Sequence, residues 1–169
     1  MTDKTTHQDR LKGILQTHPV SAGSSRRESD GDGGEGACAA FGYLRGLRER
    51  ADAIEFRFRN GNSVWFPYGW LGMWKFDPSV GLLLKFTGDV VYLVLIRGSN
   101  LDRPLADSTI NLTNAGLQRH RVLWIKEMSE VEIRQSGEEV PIIDSLEVSE
   151  FESHDSLKAW ITEHASSFL

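Results

Sequence analysis

The chain has 169 residues, of which 40% are hydrophobic and 25% are charged, and this is the length of one ordinary domain. Lys85, Asp89 and Arg97 interrupt the longest apolar stretches before about 18 uncharged positions accumulate, so we expect no membrane-spanning helix. The first 17 residues lack the apolar stretch of a secretory signal, and the single cysteine excludes an internal disulfide. These features predict a soluble, cytoplasmic protein.

Charge is unevenly distributed along the chain, whose formal net charge is −5. Residues 38–135 carry a net charge of +3 and residues 136–169 carry −7, from eight acidic side chains and one basic side chain. Most nucleic-acid-binding domains are strongly basic, whereas the pI here is about 5.5. The charge distribution therefore disfavours nucleic acid as a partner and marks residues 136–169 as an acidic C-terminal segment.

Residues 1–36 predict a flexible arm, because residues 21–36 contain one alanine as their only apolar side chain. The segment from Gly31 to Gly36 matches the dinucleotide-binding pattern G-x-G-x-x-G, but no predicted strand precedes it. We therefore interpret this segment as a linker without a cofactor. Residues 37–169 are expected to form a single α+β domain.

The first elements of that domain are a helix and a hairpin. Residues 39–53 predict a short helix with Phe41, Leu44 and Leu47 on one side. Residues 54–59 alternate strictly between apolar and charged side chains, which is typical of a half-buried strand, and Asn60-Gly61 begins a turn. A three-residue loop with a left-handed Gly61 pairs Ile54 with Phe66 and Phe56 with Val64, which turns Trp65 outward.

Three further strands are predicted at residues 73–76, 81–86 and 90–97, and the last has apolar residues on both faces. Residues 54–97 would then form an antiparallel meander of at least four strands. Gly69 and Gly72 predict a kink in it. The expected architecture is α+β: a small bent sheet, a roll or a barrel of the SH3-like or Sm-like kind, with flanking helices.

The C-terminal half predicts a helix over residues 114–128, which contains a small basic cluster, Arg119-His120-Arg121. Short strands are expected around residues 131–133 and over residues 142–148. An amphipathic terminal helix follows, with an apolar stripe of Leu157, Trp160, Ile161 and Phe168. We expect this stripe to dock on the sheet of the same chain, because it is too large to leave in water.

No catalytic set stands out. The histidines do not form a zinc-binding pattern, and Ser153 is better explained as a helix cap than as part of a triad with His154 and Asp155. Cys38 lies at a predicted helix start, which would lower its pKa, but it has no evident partner base. We therefore expect no enzyme activity, no cofactor and no metal. A small enzyme with an unrecognised site ranks last among the functions considered.

Six aromatic residues fall between positions 65 and 76, and they either fill the core or form a binding surface. In the second case, Trp65, Tyr68 and Trp70 stay partly exposed beside Arg57, Arg59 and Arg97. Such a surface suits a protein interface, where Trp, Tyr and Arg dominate the binding energy. The sequence thus predicts a non-enzymatic module that binds a protein partner or a second copy. The alternative is a single-stranded nucleic-acid binder that uses the same residues.

Overall fold

The computed structural model describes residues 33–106 and 108–169. Most of the expected arm, residues 1–36, therefore lies outside the described residues. Its last two residues, Glu35 and Gly36, belong to the first strand. The described residues contain nine strands: β1 (Glu35–Ala37), β2 (Phe41–Leu44), β3 (Ala53–Arg57), β4 (Ser63–Pro67), β5 (Leu71–Asp77), β6 (Gly81–Thr87), β7 (Val91–Ser99), β8 (Val122–Lys126) and β9 (Ile142–Phe151).

The strands form two sheets, which confirms the expected α+β class. The five-stranded sheet has the order β1-β2-β8-β3-β4, and its neighbours are antiparallel except for the parallel pair β3 and β8. The four-stranded sheet has the order β5-β6-β7-β9 and is antiparallel throughout. Within the described residues, neither sheet closes into a barrel.

The β3–β4 hairpin has the register expected from the sequence. Ile54 lies opposite Phe66, Phe56 lies opposite Val64, and Gly61 has a φ of 88°. This left-handed conformation is one that glycine adopts at little cost, so a three-residue loop can close the hairpin. The hydrophobic pattern therefore selects the register, because a shift of one residue would turn Phe56 and Ile54 out of the core.

The predicted meander of residues 54–97 does not lie in one sheet. A single 3₁₀ turn at Tyr68–Trp70 and a β-bulge between Leu71 and Met73 interrupt it, close to the kink predicted at Gly69 and Gly72. The chain passes there from the five-stranded sheet to the four-stranded one. The hairpin β3–β4 and the meander β5–β6–β7 consequently face each other across a shared core.

That core lies between the two sheets and continues on the far side of the second one. Phe66 stacks on Phe86 with ring centroids 4.6 Å apart, which joins β4 to β6. Strand β7 is buried on both faces, as expected: Val94 faces the five-stranded sheet, while Leu93 belongs to a second apolar cluster. The described residues are therefore arranged in three layers, two sheets and a terminal helix.

The terminal helix α2 (His154–His164) forms the third layer on the outside of the four-stranded sheet. Ser153 caps it, because its hydroxyl accepts a hydrogen bond from the Ser156 amide. Leu157 and Ile161 are buried in the cluster that contains Leu83, Leu93, Leu95, Phe151 and Phe168. The apolar stripe therefore docks within the chain, as the sequence predicts.

Two predicted helices are strands or turns in the structure. Residues 39–53 contain β2 and a loop, because the strand is paired on both sides by β1 and β8, which satisfies its backbone hydrogen bonds. Residues 114–128 contain the end of a π-helical turn, Leu112–Leu117, and then β8. His120, with a φ of 53°, ends helical geometry there, and the following Val-Leu-Trp-Ile has high strand propensity.

The predicted strand at residues 131–133 is a helix, α1 (Glu130–Gln135). Ser129 and Glu132 form a reciprocal capping box, in which each side chain binds the other residue's backbone N–H. This local signal starts a helix despite the β-branched side chains of Val131 and Ile133. The strand predicted at residues 142–148 is present as β9.

Candidate functional site

The outer face of the five-stranded sheet carries a row of side chains that begins at Trp65. Register places Trp65 of β4 opposite Glu55 of β3, and Glu55 beside Trp124 of β8. The row ends at Gly42 of β2, which pairs with Trp124. A Cβ atom at Gly42 would lie 2.2 Å from the Trp124 Nε1, so the indole lies directly over this glycine. We call Trp65, Glu55, Arg57 and Trp124 the outer face.

Arg57 links the charged and aromatic parts of the outer face. Its Nε donates to the Glu55 Oε2 over 2.8 Å, and its Nη2 lies 2.6 Å from the same oxygen. The guanidinium also lies 4.5 Å from the centroid of the Trp124 ring, within the range of a cation–π contact. Arg57 is therefore held in place and its charge is balanced by Glu55.

Trp65 and Trp70 are both accessible, as expected, but they lie on different elements. Trp65 is 59% exposed and belongs to β4, while Trp70 is 39% exposed and ends the 3₁₀ turn. A Cβ atom at Gly88 would lie 2.8 Å from the Trp70 ring, so this indole covers the turn between β6 and β7. Trp65 is thus the large aromatic side chain most open to a partner among the described residues.

The sequence predicts a partly exposed Tyr68, and the structure corrects this. Tyr68 is 4% exposed, its hydroxyl donates to the Val122 carbonyl over 3.0 Å, and its ring stacks on His120 with centroids 4.4 Å apart. Burial raises the pKa of the phenol well above its ordinary value. Tyr68 belongs to the core and cannot contribute to a stacking platform.

The structure does not gather the three predicted arginines on one surface. Arg57 lies on the outer face, but Arg59 donates to the carbonyls of Met128 and Asp144, over 3.2 and 2.8 Å. Arg97 belongs to the other sheet, where it donates to the His164 carbonyl over 3.1 Å. Two of the three therefore tie separate segments of the fold together.

Each of these arginines also has a carboxylate nearby. The N–O distances are 2.6 Å from Arg57 to Glu55, 3.7 Å from Arg59 to Glu127 and 3.6 Å from Arg97 to Glu147, respectively. A phosphate backbone would have to compete with these carboxylates.

Strand β4 is an edge of its sheet, and the backbone of Trp65 faces the open side. At the two ends of the hairpin, the Phe58 amide donates to Asn62 and the Tyr68 amide donates to Asp52. Because hydrogen-bonded pairs alternate in an antiparallel ladder, the N–H and C=O groups of Ser63 and Trp65 point away from β3. No strand of the described residues pairs with this edge.

A second group of residues, which the sequence assigned to two separate helices, comes together in space. The loop of residues 45–50 carries Arg45, Arg48 and Arg50, and the segment before β8 carries Arg119 and Arg121. The amide of Leu44 donates to the Arg121 carbonyl over 2.8 Å, and the amide of Ala51 donates to the His120 carbonyl over 2.7 Å. We call these five arginines the arginine cluster.

Two further candidates for chemistry are a metal-binding group of side chains and the Cys38 thiol. No group of three or more His, Cys, Asp or Glu side chains among the described residues could hold a metal ion. Burial raises the pKa of the Cys38 thiol. The predicted helix start beside it, which would have lowered the pKa, is absent. The sulfur instead lies 3.5 Å from the Phe41 carbonyl oxygen.

No protein-family model, curated protein or solved structure matches this chain. In the part of the chain that the structure describes, every helix is too short or too polar to cross a membrane.

Proposed function

We propose that this protein is a non-enzymatic interaction module whose protein partner adds an extended segment to the open edge of β4. One observation carries this proposal: Trp65, 59% exposed, stands on an edge strand whose outward backbone groups have no neighbour among the described residues. In strand addition, main-chain hydrogen bonds supply affinity and side-chain contacts supply specificity. A partly exposed tryptophan is the side chain that most often anchors such a contact.

The neighbours of Trp65 indicate the chemistry of the segment. Glu55 and Arg57 neutralise each other at 2.6 Å, and Lys126 is paired with Glu132 at 2.5 Å. This part of the sheet therefore offers little net charge to a partner. It favours an uncharged extended segment with an apolar side chain that covers the indole.

Site-specific crosslinking tests the proposal in the full chain. A photo-reactive side chain at Ser63 would lie on the same face as Trp65, beside the side chains of the added strand, and the same amino acid at Thr162, on the exposed side of α2, serves as the control. We expect a partner protein to crosslink at position 63 and not at position 162. If only a second copy of the chain crosslinks at position 63, the occupant is that copy and the proposed partner is wrong.

Two variants then test the mode of binding to the crosslinked partner. Trp65→Ala should weaken binding about 30-fold, the effect of losing about 2 kcal/mol at a hot spot. Ser63→Pro removes an edge-facing N–H without touching the bonds to β3, and it should also weaken binding. Met73→Ala, at an exposed apolar position of β5, is the matched control. Equal affinity for all four proteins would contradict strand addition at β4.

A further inference from the structure

The arginines of this protein fall into two classes according to their partners. Outside the arginine cluster, all five in the described residues lie within 4.0 Å of a carboxylate: Arg57, Arg59, Arg97, Arg103 and Arg134. Within the cluster, no ion pair of this kind forms with the carboxylates of the described residues. Among the described residues, the arginines without an ion pair thus all belong to this cluster, and Glu49 is the one carboxylate on the loop of residues 45–50.

Arg121 is the buried member of the cluster and is only 4% exposed. Its Nε donates to the Leu44 carbonyl over 2.9 Å and its Nη2 donates to the Arg45 carbonyl over 2.7 Å. A guanidinium has five N–H donors, so these two bonds fix its orientation and leave donors for a further acceptor. Burial and then the charges of Arg119 and Arg50 lower the pKa of Arg121, whereas Tyr43 and Glu49 act in the opposite direction.

Arg121 is one of the residues that line a cavity of about 480 Å³. The cavity has cationic, hydroxyl-bearing and apolar parts, supplied by Arg45, Arg121, Ser108, Thr109, Tyr43, Leu47 and Ile110. Its size lies in the range of about 300 to 1,000 Å³ that is usual for small-molecule sites. A lone inorganic anion would occupy only the cationic end, whereas an anion with an organic substituent would also cover the apolar wall.

An unusual backbone conformation positions the cationic end. The π-helical turn Leu112–Leu117 is followed by His120, which has a φ of 53° although it is not glycine. The Arg121 amide donates to the Gly116 carbonyl over 2.9 Å, which joins the end of this turn to β8. Such π-helical turns occur frequently at functional sites.

We propose that this cavity binds the phosphate group of a small organic phosphate monoester, with Arg121 and Arg45 as the anion-binding residues and the exposed Leu47 against the organic part. Guanidinium groups bind phosphate in a bidentate manner, and a dianion balances the charge of two arginines that line one cavity, where a carboxylate would balance only one. The site uses none of the residues of the outer face, so it is independent of the proposed protein interface.

Calorimetric titration of the full chain tests the site with three probes: phenyl phosphate, inorganic phosphate and benzoate. We expect phenyl phosphate to bind at least tenfold more tightly than either of the others, since only it has both a dianionic phosphate and a ring. Equal binding of inorganic phosphate would show that the cavity takes the free anion and would overturn the organic part of the proposal. Preference for benzoate would overturn the phosphate assignment.

Two variants that each remove one positive charge distinguish binding in this cavity from general electrostatic attraction to the protein. Arg45→Gln, at an exposed position that lines the cavity, should weaken phenyl phosphate binding at least tenfold. Arg134→Gln, at an exposed position of α1, should leave it unchanged. Because Arg45 is not buried, loss of the fold would not explain the result. Equal weakening by both variants, or no binding of phenyl phosphate at millimolar concentration, would overturn the proposal.

Discussion

At the scale of single residues, the alternation of one short strand decides which aromatic side chains a partner can reach. Phe66 points into the core, so Trp65 points outward and Tyr68 again points inward. The same alternation that predicts an exposed Trp65 therefore also predicts a buried Tyr68, provided that it continues through Pro67. A kink at Gly69 is expected to bring Tyr68 to the surface. In the structure the 3₁₀ turn begins at Tyr68, and the Tyr68 side chain stays in the core.

Gly42 is predicted to be essential for the position of Trp124. In Gly42→Ala, the new methyl group would collide with the indole, whose Nε1 would lie 2.2 Å away. We expect a loss of about 1 to 3 kcal/mol in the free energy of unfolding, as for other overpacked sites. Urea denaturation followed by tryptophan fluorescence measures it. Gly69→Ala is the control, because a methyl group there would meet nothing within 4 Å beyond its chain neighbours; equal losses in both proteins would contradict the steric explanation.

Glu132 is predicted to make stability depend on pH. Hydrogen bonds from Lys126 and then from the Ser129 amide and hydroxyl lower the pKa of this carboxyl to about 2. A lowered pKa in the folded state stabilises the protein above the unfolded value of 4.5, and this contribution is lost as pH falls from there through about 2. The side chain is 33% exposed, so solvent screening reduces the contribution to about 1 kcal/mol.

The measurement compares Glu132→Gln with the natural protein by urea denaturation across this range. At pH 7 the variant should be less stable by about 1 kcal/mol, and the difference should shrink steadily between pH 4.5 and pH 2. Glu130→Gln is the matched control, because its ion pair with Arg134 is largely exposed on both sides. A difference that stays constant with pH would show that the lost stability is not electrostatic.

At the scale of elements, pairing with neighbouring strands made several segments strands, although the spacing of their apolar residues predicts a helix. Phe41, Leu44 and Leu47 have helical spacing, yet residues 41–44 form a strand between two others, and Leu47 is 65% exposed. Strand β8 is likewise placed between β2 and β3, and its apolar residues fit both a helix and a strand. Where a local signal was specific, as in the Ser129–Glu132 capping box, it determined the element.

The terminal helix is predicted to contribute substantially to stability. Ile161 is 8% exposed and packs among the leucines of β6 and β7. Ile161→Ala should lower the free energy of unfolding by about 2 to 4 kcal/mol, because it leaves a cavity between α2 and the sheet. Thermal and urea denaturation measure the change. Thr162→Ala, one residue further on the exposed side of α2, should change the free energy of unfolding by less than about 0.5 kcal/mol. If Ile161→Ala is as stable as the natural protein, α2 does not dock on the sheet in solution.

At the scale of the whole molecule, the sequence alone determined the α+β class, the β3–β4 register, the doubly buried β7 and the docking stripe of α2. Each of these follows from a period of two or of 3.6 residues, or from a turn residue, and these are local properties. Tertiary structure decided that residues 54–97 divide between two sheets and that the segment before β8 meets the loop after β2. Arg45 and Arg121 are 76 positions apart, so only the pairing of β2 with β8 could bring them together. The sequence therefore shows the basic residues Arg119-His120-Arg121 but not their proximity to residues 45–50, whereas it does predict the outward position of Trp65.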